Sequence, residues 1–307
     1  MLLVHSIVLI VLQQATQPEI PAPPELSRGA QAFYLTIVAI GMIVLAAFVV
    51  RAIAQPRRLR LEDTPPRRNY LGFLHVGALL VANVLVGALM LQGAAGLMRQ
   101  PIDKELEPPA QTMLLGGAAT NLVMLALVLA VGQAAFVHGL ARGMGFTARR
   151  WIADSLRGLA AALAVFPIAT GLSWISELLV PKAYQQLHPL LQFVQTGHGQ
   201  WGWLLLGVFL AVVLAPVVEE SFFRGIIQSA LRRRLGGPWP AILLSSFIFA
   251  AIHVDWARVR GFEVLLPLLA LAVALGYLYE RTGRLWPSIV THAVFNAVNV
   301  AAAAWGT

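Results

Sequence analysis

Eight long apolar runs, separated by short segments that are alternately rich and poor in arginine, constrain this chain more than any other feature. The runs cover roughly 32–53, 70–98, 112–140, 153–180, 201–222, 239–255, 262–280 and 285–304. Each falls in the range that can cross a hydrocarbon layer as a helix, allowing for tilt. Inside that layer every backbone N–H and C=O must be bonded within the protein, and for separate apolar runs of this length the helix is the solution. The expected fold class is therefore all-α, a polytopic membrane helix bundle with about eight transmembrane helices.

The loops carry the topology. Segments 51–68, 142–157, 224–234 and 281–284 hold 16 of the 22 Lys and Arg residues, and the alternate segments hold the few that remain. Basic residues collect in cytoplasmic loops, so the alternation predicts that these four segments face the cytoplasm and that both termini lie outside it. We expect a multi-pass integral protein of a bacterial plasma membrane. The net charge of +8 is read as this topology and not as a nucleic-acid surface, because the arginines are spread over short inter-span loops.

Three stretches organise the chain. Residues 1–31 comprise an apolar stretch at 1–13, too short to span and read as a weak signal or an interfacial helix, followed by a proline-rich linker. Residues 32–180 hold the N-terminal transmembrane helices, and residues 181–307 hold the C-terminal ones, the two forming one membrane domain. Loop 99–111 is acidic and proline-bearing, as a solvated external loop would be. Loop 181–200, with Tyr184, His188 and His198, reads as a surface connector. No internal repeat is visible, which argues against an inverted-repeat transporter.

The chemistry must come from oxygen and imidazole groups, because the chain is 58% hydrophobic, 12% charged and free of cysteine. Three polar features interrupt the last four runs. Glu219 and Glu220 follow the apolar stretch 201–218 directly, with Arg224 one helical turn beyond Glu220. Phe249 precedes His253 by four residues, and His292 precedes Asn296 by the same interval. Charged and imidazole groups at bilayer depth need partners or a polar cavity. Arg224 can serve Glu220 on the same helix face but not Glu219, which points about 100° away. Glu219 therefore needs another role. Single polar residues elsewhere, such as His75, His138 and Glu177, sit near span ends where one hydrogen bond would satisfy them. Asn121 reads as a helix–helix hydrogen bond, and Asp255–Trp256 as an interface marker.

In this order and on separate helices, Glu219-Glu220-x-x-x-Arg224, Phe249-x-x-x-His253 and His292-x-x-x-Asn296 resemble the motifs of the CAAX prenyl endopeptidase and bacteriocin-processing family of intramembrane proteases. The resemblance covers 216–296. It implies an endopeptidase in which Glu219 and His253 activate water, His292 and Asn296 stabilise the oxyanion, and Glu220, Arg224 and Phe249 support the site. Its substrates would be membrane-associated proteins or peptides, including lipid-modified CAAX-type ones, and its surroundings the lipid bilayer. The residue chemistry agrees, because peptide hydrolysis needs a base and donors aimed at developing negative charge. We expect no cofactor, the water being activated by glutamate. Zn²⁺ is the alternative, although there is no His-Glu-x-x-His and the ligands would come from three helices. A non-catalytic scaffold or immunity factor of the same fold is the alternative function. The sequence leaves the oligomeric state and the natural substrate open.

Overall fold

The computed structural model describes residues 27–100, 108–185, 191, 193–194, 199–256 and 259–305. The 1–13 stretch, His188, His198 and Thr307 lie outside these residues, as does most of loop 99–111. The described part is all-helical apart from two isolated bridges, Asn69 with Phe136 and Asp255 with Arg260. In chain order the helices are α1 (Arg28–Ala54), α2 (Phe73–Leu97), α3 (Ala110–Ala135), α4 (Trp151–Leu179), α5 (Trp201–Leu235), α6 (Pro238–Ala251), α7 (Leu265–Thr282) and α8 (Trp286–Trp305). Helix α1 starts before residue 32, because the Ser27 side chain caps it by accepting a hydrogen bond from the Ala30 N–H at 3.2 Å.

Seven of the eight helices are long and apolar enough to cross a membrane, and α6, with 14 residues, is the shorter one. At 1.5 Å per residue α6 reaches only about 21 Å. It stops at Ala251 because two of its last carbonyls are taken by side chains. His253 Nδ1 bonds Phe249 O at 2.7 Å, and Trp256 Nε1 bonds Ala251 O at 2.7 Å. The run expected to span as far as 255 therefore ends in a capped turn that leaves His253 just past the helix.

Helix α5 is the axis of the bundle, with α3, α6, α7 and α8 all packed on it. From Glu220 to Arg232 every residue is buried. Such a helix has no solvent or lipid face, and its side chains Phe222, Phe223, Ile226 and Ile227 form one cluster with Phe249, Ala272 and Tyr279. The outer helices show the opposite pattern: Ile43 is 72% and Leu74 88% exposed, the large apolar side chains that a lipid phase would cover.

The expected loop 224–234 is corrected here. The chain remains helical to Leu235, where Gly236 ends it at a positive φ of 72°. Arg224 is 1% exposed. An arginine run reads as a loop because charges need partners, and in this helix backbone carbonyls supply them. Arg232 donates to Gly236 O at 2.6 Å and Thr64 O at 3.1 Å, and Arg233 to Leu71 O at 3.0 Å. Consequently Glu219 lies near the middle of α5 and not at its end.

The four arginine-bearing segments meet at one end of the bundle. Arg232 ties 224–234 to Thr64. Arg67 joins 51–68 to α7 through Tyr279 O at 2.6 Å. Arg284 grips buried Asp154 through two bonds of 2.6 and 2.7 Å, and Arg157 adds a third at 2.8 Å. The hydrogen bond to Asp154 holds the Arg284 guanidinium above its ordinary pKa. Their convergence is what a single basic face requires, and it agrees with the alternation along the sequence.

Candidate active site

Glu219 and Glu220 sit in a short regular segment of α5, Ala215–Glu220, between two widened π-type segments, Leu210–Leu214 and Ser221–Gln228. A cause of the first widening is visible in the sequence. Ala215 N–H bonds Leu210 O, five residues back. The donor that would reach Ala211 O in that register is residue 216, a proline with no N–H. Asn296 fills the vacancy from α8, its Nδ2 donating to Ala211 O at 2.8 Å. One N–H of Asn296 is thereby committed to holding α8 against α5.

Glu220 is fully buried and its Oε1 accepts two bonds, from Arg224 Nη1 at 2.8 Å and His292 Nδ1 at 2.9 Å. Arg224 Nη2 continues to Ala272 O on α7 at 3.1 Å, and its guanidinium carbon lies 4.7 Å from the centre of the Phe249 ring. The buried cation thus has a carboxylate, a carbonyl and an aromatic face as neighbours. Phe249, also fully buried, packs its ring against both imidazoles, at 4.8 Å from His253 and 5.7 Å from His292. One aromatic ring therefore spaces the two histidines.

Partner chemistry assigns the protons. Phe249 O can only accept, so the Nδ1 of His253 carries the hydrogen. The Glu220 carboxylate, shared with Arg224, likewise requires Nδ1–H on His292. Both rings accordingly keep Nε2 for other use. His292 Nε2 lies 3.9 Å from Glu219 Oε2, too far for a direct hydrogen bond. The Glu219 side chain is 26% exposed, whereas its Oε2 is buried and has no hydrogen-bond partner. A carboxylate oxygen without a donor, facing an imidazole nitrogen at nearly 4 Å, is a place where a water could bridge.

Of the expected residues, the structure brings Glu219, Glu220, Arg224 and His292 into one cluster, with Phe249 joining His253 to it. Asn296 is one turn along α8 from His292 and is turned toward Ala211. The link from Glu220 to His292 is not readable from the sequence, which offers Arg224 as the obvious partner. Gln228, Tyr279 and Glu280 are further buried polar residues that the motifs do not include. Gln228 Nε2 donates to Gly276 O and Glu280 Oε1, both at 3.0 Å. The spacing 220, 224, 228, one polar residue per turn in an otherwise apolar run, is the signal that points to Gln228. Asn121 is corrected: it bonds Gly117 O of its own helix at 2.9 Å and not a neighbouring helix.

Among the described residues no three His, Asp or Glu side chains gather as a metal-binding group. The closest imidazole–carboxylate contact, His292 with Glu220, is already closed by Arg224.

Fold and site together define an integral membrane protein with a buried carboxylate–imidazole centre on three helices. Residues 201–298 match the family described as Type II CAAX prenyl endopeptidase Rce1-like, so the resemblance carried by the motifs holds over that segment. Over 91 residues the chain is 33% identical to the "Putative membrane peptidase YdiL" of Bacillus subtilis (strain 168), which is 30% of this chain and 34% of that protein. Over 98 residues it is 37% identical to the UPF0177 protein YaiF of Lactococcus lactis subsp. lactis (strain IL1403), 31% of this chain and 40% of that protein. The matched regions thus span well under half the length of these relatives. No solved structure matches.

Proposed function

We propose that this protein is an intramembrane endopeptidase that hydrolyses peptide bonds of membrane-associated proteins or peptides, lipid-modified CAAX-type substrates among them. Water activated by Glu219 with His253 gives a proton to the Glu219 carboxylate and attacks the scissile carbonyl carbon. The oxyanion is stabilised by His292 and by the remaining N–H of Asn296. When His292 carries both protons, Nδ1–H stays with Glu220 and Nε2–H is the donor for the oxyanion. The C–N bond then breaks, and the proton held by Glu219 passes to the departing amine. Glu220 and Arg224 orient His292, and no metal takes part. The four arginine-bearing segments face the cytoplasm and both termini face away.

The observation that carries this reading is the unpartnered Oε2 of Glu219 opposite His292 Nε2, whose ring is fixed from behind by Glu220. Glu220, one residue on, is anchored through Oε1 by Arg224 and His292 although its own Oε2 is also unpartnered, whereas Glu219 has only the 3.9 Å approach of His292. The test is cleavage of a membrane-anchored, C-terminally prenylated peptide by the purified protein in chelator-treated buffer. Wild type should release the C-terminal fragment and Glu219→Gln should not. Equal cleavage by the two, or none by wild type across a panel of anchored peptides, would defeat the proposal.

A further inference from the structure

The basic end of the bundle carries a half-open cavity of about 800 Å³ that the peptidase reading does not use. Its walls come from three segments distant in sequence: 57–68 after α1, 138–143 after α3, and 280–283 at the end of α7. Six arginines line it, namely Arg57, Arg60, Arg67, Arg68, Arg142 and Arg281, against two carboxylates, Asp63 and Glu280. Glu280 is already engaged, by Arg67 at 3.5 Å and by Gln228 at 3.0 Å. Among the described residues the other five arginines make no ion pair.

Cytoplasmic topology accounts for arginines in these loops but not for their convergence around one concavity, where like charges repel. The walls are also held in place. Arg67 bonds Tyr279 O and lies 3.6 Å over the Tyr279 ring. The 57–68 segment is stitched to the end of α3 by Val137 N–H to Arg68 O at 3.1 Å and by Tyr70 N–H to Ala135 O at 2.8 Å. Unpaired guanidinium groups around a fixed hollow are the donor set that recognises phosphate, because each fork can give two parallel hydrogen bonds. The volume falls within the range of small-molecule sites, roughly 300–1,000 Å³, and exceeds what a single inorganic phosphate fills.

We propose that this cavity binds a ligand carrying more than one phosphate group, at the boundary between the bundle and the aqueous phase. Both an anionic phospholipid headgroup and a soluble polyphosphate have that chemistry. The site is independent of the catalytic assignment, since none of its arginines belongs to the centre on α5, α6 and α8.

The test uses the full chain in nanodiscs. In one arm, discs of phosphatidylcholine are titrated with inorganic tripolyphosphate and thermal stability is followed. In the other, cardiolipin is included and lipid retained by the protein is counted by native mass spectrometry. Stabilisation in the first arm assigns a soluble ligand, and retained cardiolipin with no tripolyphosphate effect assigns a lipid. In whichever arm binds, Arg142→Glu with Arg281→Glu should weaken it on the order of tenfold or more. Arg149→Glu with Arg150→Glu, on the same basic loop but outside the cavity lining, should leave it unchanged. If the first pair prevents folding, Arg142→Gln with Arg281→Gln gives the same reading at smaller amplitude. Equal losses in the cavity and control pairs would reduce the effect to surface charge and overturn the proposal, as would failure of wild type to bind either probe.

Discussion

His292 Nδ1 on α8 lies 2.9 Å from Glu220 Oε1 on α5, and the same oxygen accepts from Arg224 at 2.8 Å. Glu220 is therefore more than the counter-charge of its helical neighbour. It stands between a buried cation and the imidazole that faces Glu219, so the ion pair that stabilises the helix also aims the ring.

That geometry separates the two adjacent glutamates. Glu219→Gln keeps the volume and removes a carboxylate whose Oε2 has no partner to lose, so melting should stay near wild type while turnover falls by at least about 100-fold. Glu220→Gln leaves a fully buried arginine without its counter-charge, a change that costs about 3–5 kcal/mol when a buried pair is broken. It should lower melting and expression, and whatever folds should also cleave slowly because His292 loses its anchor. Thermal unfolding alongside cleavage of one peptide reads both. Identical profiles for the two variants would refute the division of roles.

Asn296 offers a finer test, because its amide already holds Ala211 O. Asn296→Asp preserves shape but can no longer donate from that position, leaving a carbonyl in the widened turn of α5 unpaired, at about 1–3 kcal/mol. We expect lower melting together with reduced turnover. Hydrogen exchange at residues 210–215 should rise selectively, and unchanged exchange there would mean that the bond does not support the turn.

Close approach of α7 to α5 depends on Gly276. A Cβ at that position would lie 2.7 Å from Gln228 Oε1 and 3.1 Å from Ile242 Cγ2, both in a packed interior. Gly276→Ala should displace Gln228 from Gly276 O and Glu280, with a loss of about 1–3 kcal/mol. Gly283→Ala meets no such neighbour but sits at a φ of 67°, so its smaller cost should come from backbone strain alone. Melting temperatures of the two variants give the comparison.

How far the sequence could be read follows from what decides each feature. Span positions are legible because bilayer thickness sets a minimum run of apolar residues, and that rule found the order of all eight helices. It failed at 224–234, where arginines suggest a loop, because Arg232 and Arg233 take their partners from Thr64 and Leu71 on a distant segment. It overran α6, because two side-chain caps end the helix at Ala251 while the apolar run continues. Motif residues were legible as polar groups with nowhere else to go. Which of them bond across helices was not: Glu220 could have been satisfied by Arg224 alone, and nothing in one sequence says that His292 also reaches it.

The orientation of the bundle can be tested with a chain that lends itself to labelling, because it contains no cysteine. Single cysteines placed at Arg142, on the basic end, and at Gln200, ahead of α5, should react with a membrane-impermeant maleimide in opposite circumstances. Arg142→Cys should be labelled only after cells are permeabilised, whereas Gln200→Cys should be labelled in intact cells. The arginines gather together: Arg232 with Thr64, Arg67 with Tyr279 and Arg284 with Asp154 place all four basic segments at one end. An end so basic is expected to stay on the cytoplasmic side during insertion. Labelling of Arg142→Cys in intact cells would invert the bundle, and it would move the arginine-lined cavity to the outer face.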